Sequence, residues 1–351
     1  MKKKWSVIFS IIPIALVFSL TSQAAGDAPK VLIKMASIAP KGSNIANAFE
    51  EMAKQVKERT NNEVAFKIYW GGVQGDEKDV LRKIKLGQLH GGGFMGPGLG
   101  FIVPEVRVTE VPYMFRNYDE VAYVRTRLQT TMDKLFEEKE FKVLGWMNLG
   151  FIYTFSREPL LSLDIARKQK WWTMEGEPVG KAMFQALAIS PISLSISDVA
   201  TALATNMINC ASSTPYGAVA FQWYTTFKYM SSLPVSNING ATIISKSVWD
   251  KISPASQKII MEVANKEHDK LMKVTRQEDE KSLELLKKQG ITIVPTDFKN
   301  KDQLYVFDAS KKVREELVGK LYSKELLDRT LMLIDEYRRT HPNDTTVIQL
   351  D

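Results

Sequence analysis

The chain of 351 residues has a single cysteine, Cys210, and only three histidines, His90, His268 and His341. One cysteine excludes an internal disulfide, so the hydrophobic core must stabilise the fold alone. No histidine lies near Cys210 in sequence, which leaves a thiol nucleophile without a local base; a buried inert thiol is the reading of its small, apolar surroundings. There is no G-x-S-x-G elbow, no G-x-G-x-x-G opening a helix after a strand, and no histidine with a metal partner at ligand spacing. Past the first 25 residues no apolar run is long enough to span a bilayer. There is no internal repeat and no low-complexity segment.

The first 25 residues differ from the rest. A basic start (Lys2, Lys3, Lys4), an apolar run from Ser6 to Leu20 and small residues up to Ala24 and Ala25 make a secretory signal peptide, cleaved near Ala24/Ala25. Its removal leaves 44 basic against 40 acidic residues, a net charge of +4 instead of +7. Basic residues are interspersed with acidic ones, as in EMAKQVKER, which argues against nucleic-acid binding. The expected mature protein is soluble, exported and free of cofactor and metal.

Along the chain, apolar runs alternate with 3.6-periodic segments, as in an α/β protein. VLIKMA (31–36) reads as a buried strand and Asn44–Arg59 as a helix with Ile45, Phe49, Met52 and Val56 on one face. Val64–Trp70 is the next strand. A glycine-bearing loop at 71–75 precedes a helix whose first turn holds Asp76 and Glu77, placed to complement its dipole. Gln74 in that loop is a candidate ligand contact, with a plain tight turn as the alternative. In HGGGFMGPGLG (90–100) glycine lets backbone approach a ligand, and Phe94 and Met95 are candidate wall residues. Helix 119–138 and two strands, 141–147 and 151–155, follow, with Asn148 and Phe151 as candidates at the crossing. Ser253-Pro254 starts a helix that runs to Gln289, roughly 54 Å at 1.5 Å per residue; His268 falls on what reads as a solvated face.

The stretch KWWTMEGEP (170–178) with PISLSISDVATALATNMINC (191–210) carries a resemblance. Gly176-Glu177-Pro178, Ser190-Pro191, Asp198-Val199 and Ala202-Leu203 stand in the order and spacing of the extracytoplasmic solute-binding proteins of TRAP transporters, the DctP-type family. Gly75-Asp76-Glu77, Leu86-Gly87-Gln88, Val111-Pro112-Tyr113-Met114-Phe115 and Ile244-Ser245-Lys246 with Trp249 extend the resemblance over about Val31 to Val294. It implies a two-lobed periplasmic-binding-protein fold, each lobe a mixed, mostly parallel sheet flanked by helices, with a long helix spanning both. Residues 26–149 plus 237–275 would form lobe I, and 150–236 plus 276–351 lobe II. It further implies a non-enzymatic receptor in the periplasm, a small-molecule ligand, the small and large membrane permease subunits as partners and, in some relatives, a tetratricopeptide-repeat partner.

Most of that family holds a ligand carboxylate with an arginine on the strand before the G-x-P turn. The matching position here is Thr173, preceded by Trp171 and Trp172. That departure points to an apolar or amphipathic ligand, while leaving open a carboxylate held by other groups. Because strand side chains alternate, only one of the two tryptophans, Trp171 on the side of Thr173, is expected to face the ligand, with Glu175 or Trp172 compensating at the edge. Ser212, Gln222 and Trp223 complete the candidate site, a surface loop being the alternative for Ser212 and Gln222. Two other classes remain: a sensory or scaffold subunit with the same cleft, and a hydrolase, for which no specific motif is present.

Overall fold

The computed structural model describes residues 28–297 and 299–344. The signal peptide expected at 1–25 lies outside them. Ten strands are present among the described residues: β1 (Val31–Ala36), β2 (Val64–Tyr69), β3 (Gly91–Met95), β4 (Phe141–Ser156), β5 (Trp172–Met174), β6 (Ile192–Leu194), β7 (Cys210–Ser213), β8 (Tyr229–Ser231), β9 (Ser236–Ser245) and β10 (Thr292–Val294). Eight of them make one mixed sheet in the order β10-β8-β4-β9-β3-β1-β2, with β7 also on β4; β5 and β6 pair separately. Parallel pairs (β1 with β2 and β3, β8 with β10) occupy its two ends, and antiparallel β3–β9, β9–β4, β4–β7 and β4–β8 pairs link them. β4 joins the two ends, pairing with β9 on one side and with β7 and β8 on the other.

β4 was expected as two strands and is one. It keeps pairing with β9 from Phe141 to Ile152 by absorbing two register shifts, at Val143/Gly145 and Asn148/Gly150. These irregularities are β-bulges, which bend a strand without ending it. Both glycines lie against a buried side chain of one helix. A Cβ on Gly145 would fall 2.5 Å from His268 Nδ1, and one on Gly150 would fall 2.4 Å from Asp279 Oδ2.

The helices begin where side chains satisfy free backbone N–H groups. Ser43 accepts from Ala46 N at the start of Asn44–Arg59, whose Phe49, Met52 and Val56 enter the core. Ser253 accepts from Ser256 N, and Pro254 opens the long helix Pro254–Lys288. That helix packs on the helix 44–59, on β4 and on the short helix Pro215–Ala220. His268 is not on a solvated face: it is buried, its Nε2 2.8 Å from Thr242 Oγ1 and its Nδ1 2.6 Å from Ala264 O. Burial lowers its pKa and favours the neutral ring. The helix Val199–Ala204 has no side-chain cap and starts from a 3-10 turn, and Met207 lies beyond its end and is exposed.

The two C-terminal helices divide their contacts. Lys301–Glu316 packs on Pro178–Ala186, whereas Lys324–Thr340 packs on Tyr118–Glu138, where Arg338 donates to Glu120 at 2.6 and 3.0 Å. Among the described residues no helix is long and apolar enough to cross a membrane.

Candidate ligand-binding site

A cavity of about 640 Å³ opens where β3, the middle of β4, β5 and β7 converge. That volume is ordinary for a small-molecule site. Seven of the twelve candidate residues line it: Phe94, Met95, Trp171, Trp172, Thr173, Ser212 and Trp223. Both tryptophans border it, contrary to the alternation argument: β5 begins at Trp172, so Trp171 lies outside the strand and the two are not successive residues of it. Trp171 packs against Phe184 (centroids 5.4 Å apart), and Trp172 meets Trp223 edge to face at 5.4 Å. Their indole N–H groups are spent on backbone, Trp171 on Ala166 O (2.6 Å) and Trp172 on Leu194 O (3.0 Å). What these rings present to a ligand is therefore apolar surface and π face.

The other five candidates lie elsewhere. The Gln74 side chain accepts from Lys83 Nζ at 3.0 Å and belongs to the tight turn. Asn148 Oδ1 accepts from Gly150 N at 2.9 Å and braces the β4 bulge. Phe151 is fully buried against Tyr118. Glu175 is exposed, 3.9 Å from Lys78. Gln222 is exposed and held by a left-handed backbone (φ 58°).

The sequence reading missed a buried charge cluster on the cavity wall. Arg107, in the 3-10 turn Pro104–Glu110, donates through Nη2 to both Glu177 oxygens at 2.7 and 2.6 Å. Its Nε lies 3.1 Å from Glu110 Oε2, an ion-pair distance without hydrogen-bond alignment. Arg107 is 5% exposed and Glu177 12%. Burial alone would pull the guanidinium down, but the charges of Glu177 and Glu110 outweigh it and hold the pKa above the ordinary value. Glu110 accepts from Asn239 N at 2.6 Å, yet burial raises its pKa to about 7. Glu77 does not serve the helix dipole as expected. Its carboxyl is buried against Met95 N at 2.5 Å, and burial raises its pKa to about 8. One signal was available: Arg107 and Glu110, three apart, are charged residues set in the apolar run VRVTEVPYMF.

The glycine-rich run serves this cluster. Cβ atoms at Gly96, Gly98 and Gly100 would fall 2.0 Å from Glu110, 2.4 Å from Glu77 and 3.0 Å from Arg107. The run was expected to bring backbone near a ligand; here it makes room for the protein's own ionisable side chains. Among the described lining residues Arg107 is the only basic one, against Glu110, Glu177, Glu278, Asp297 and Asp302. Cys210 is buried in β7, and burial pushes its thiol up to about 12, so it is no nucleophile. No group of three or more His, Cys, Asp or Glu able to hold a metal occurs among the described residues.

Comparison with known proteins places this architecture. Residues 35–320 match the profile of bacterial extracellular solute-binding protein family 7, DctP. The chain belongs to this family of TRAP-type solute-binding proteins. It is similar to the sialic acid-binding periplasmic protein SiaP of Vibrio cholerae, 21% identical over 89% of this chain and 98% of that one. Among solved structures it resembles the sugar acid binding protein DctPAm of Advenella mimigardefordensis in complex with galactonate (TM-score 0.81, 18% identity, 88% of this chain and 99% of that one). It also resembles a TRAP periplasmic solute-binding protein of Desulfovibrio salexigens with bound orotic acid (TM-score 0.79, 19% identity, 87% and 99%). These relatives are binding proteins, and this TRAP-type receptor is a binding protein and not an enzyme.

Proposed function

We infer that this receptor works in the periplasm after signal-peptide removal. There it closes two lobes over an apolar or amphipathic small molecule and passes it to the small and large permease subunits of a TRAP transporter. Residues 26–149 with 237–275 form one lobe and 150–236 with 276–351 the other, the last helix reaching back to the first lobe through Arg338 and Glu120. Ligand contacts made from both sides favour the closed state. The observation that carries the ligand class is the cavity wall. Eight aromatic side chains line it among the described residues, Trp171, Trp172, Phe184 and Trp223 among them, and its one basic side chain is already paired with the protein's own carboxylates.

The test is mass spectrometry of small molecules extracted from the purified mature protein. A neutral or amphipathic compound at near one per chain supports the reading, and a small dicarboxylate overturns it. Trp171→Ala and Thr173→Arg should each change affinity for that compound; if neither does, the site is misplaced. The second reading, a carboxylate ligand, is favoured by the galactonate and orotic acid bound to the relatives, and requires a donor other than the engaged Arg107.

A further inference from the structure

Three of the four groups in the buried cluster are fixed by backbone as well as by one another. Glu177 Oε1 accepts from Val179 N (2.8 Å) and Gly180 N (3.2 Å), which makes it the cap of the helix Pro178–Ala186. Glu110 is held by Asn239 N and Glu77 by Met95 N. Arg107, in contrast, is fixed by carboxylates alone, and its Nη1 is buried without a hydrogen-bond partner. Both Arg107 and Glu177 line the cavity.

We propose that Glu177 sets the charge of the ligand: it occupies Arg107 as a built-in carboxylate and so bars carboxylate ligands in favour of uncharged ones. The inference rests on the cavity being the ligand site and goes beyond it by assigning the residue that decides charge. A ligand carboxylate would compete with one tethered at bonding distance, whose effective concentration it cannot match. It would also enter beside Glu177 itself, where added negative charge is opposed. A carbonyl, amide or hydroxyl oxygen meets neither obstacle.

The test compares octanoate with octanamide, which differ in charge at the same length, by calorimetry on the full mature chain. The native protein should bind octanamide at least tenfold more tightly. Glu177→Gln keeps an oxygen for the helix cap while freeing Arg107, and should move that ratio at least tenfold toward octanoate. The double variant Arg107→Gln/Glu177→Gln should lose the gain. Equal or tighter octanoate binding by the native protein overturns the proposal whether or not the variant folds, and so does an unchanged ratio in a folded Glu177→Gln. A native protein that binds octanamide, with no gain for octanoate in the variant, defeats this proposal and leaves the receptor reading standing. A native protein that binds neither probe and yields no extracted small molecule defeats both.

Discussion

The run Gly91–Gly100 and the pair Trp171-Trp172 both border the cavity, the first through what its side chains leave out and the second through what they fill. Along the glycine run, missing Cβ atoms let Glu77, Glu110 and Arg107 pack against backbone. At the tryptophans, two large rings with satisfied N–H groups close the wall. The contrast teaches that polarity is concentrated where the chain is thinnest, because a buried carboxyl needs backbone donors within reach and only glycine leaves the space. Bulk is concentrated where no charge has to be solvated.

Several substitutions would break or sharpen this contrast. Gly96→Ala should cost the most, about 3–5 kcal/mol, because its methyl must displace a carboxylate paired with Arg107; denaturant unfolding measures it, and a loss under 1 kcal/mol would contradict the packing. Trp172→Ala should cost about 3 kcal/mol as a ring removed from a packed cluster, and it should weaken retention of an extracted ligand as well.

The pH dependence separates the two walls further. Glu77 (about 8), Glu110 (about 7) and Asp279 (about 7) are all raised by burial above their ordinary values. The folded protein therefore binds more protons than the unfolded chain between pH 4 and pH 8 or so, and these groups' contribution to stability declines as pH rises through that window. A thermal midpoint higher at pH 5.5 than at pH 8 is expected, with a flatter profile in Glu77→Gln; a midpoint that instead rose across the range because of these groups would refute the assignment. The smallest effect belongs to Glu175, whose exposed 3.9 Å pair with Lys78 is the kind worth little. Glu175→Ala should alter stability by no more than about 0.5 kcal/mol in the same unfolding assay.

Much of the frame was legible in the sequence because its signals are local. Ser253-Pro254 announces a helix by capping chemistry, and VLIKMA reads as a strand from its own residues. The order of short motifs from Val31 to Val294 was enough to indicate the family later matched over 35–320. The rest was illegible because it is assembled from distant pieces. The charge cluster draws on residues 77, 107, 110 and 177, and nothing local tells Glu177 in a G-x-P turn that it will meet Arg107. Gly145 and Gly150 look like strand breakers until a helix side chain is seen filling each gap. Alternation misled at Trp171 because that residue precedes β5, and the rule holds only for successive residues of one strand.

The helix behind β4 has a mechanical consequence. His268 and Asp279, which meet Gly145 and Gly150, are separated by eleven helical residues, roughly 16.5 Å at 1.5 Å per residue. Five extended residues from Gly145 to Gly150 span about the same length at ~3.3 Å each. The helix and the strand thus keep step like the two scales of a slide rule, pegged at two marks. A single-residue insertion between Lys270 and Glu278 would rotate Asp279 off its mark by about a hundred degrees while leaving His268 on its own. Length drift in this helix is therefore penalised more than change of composition.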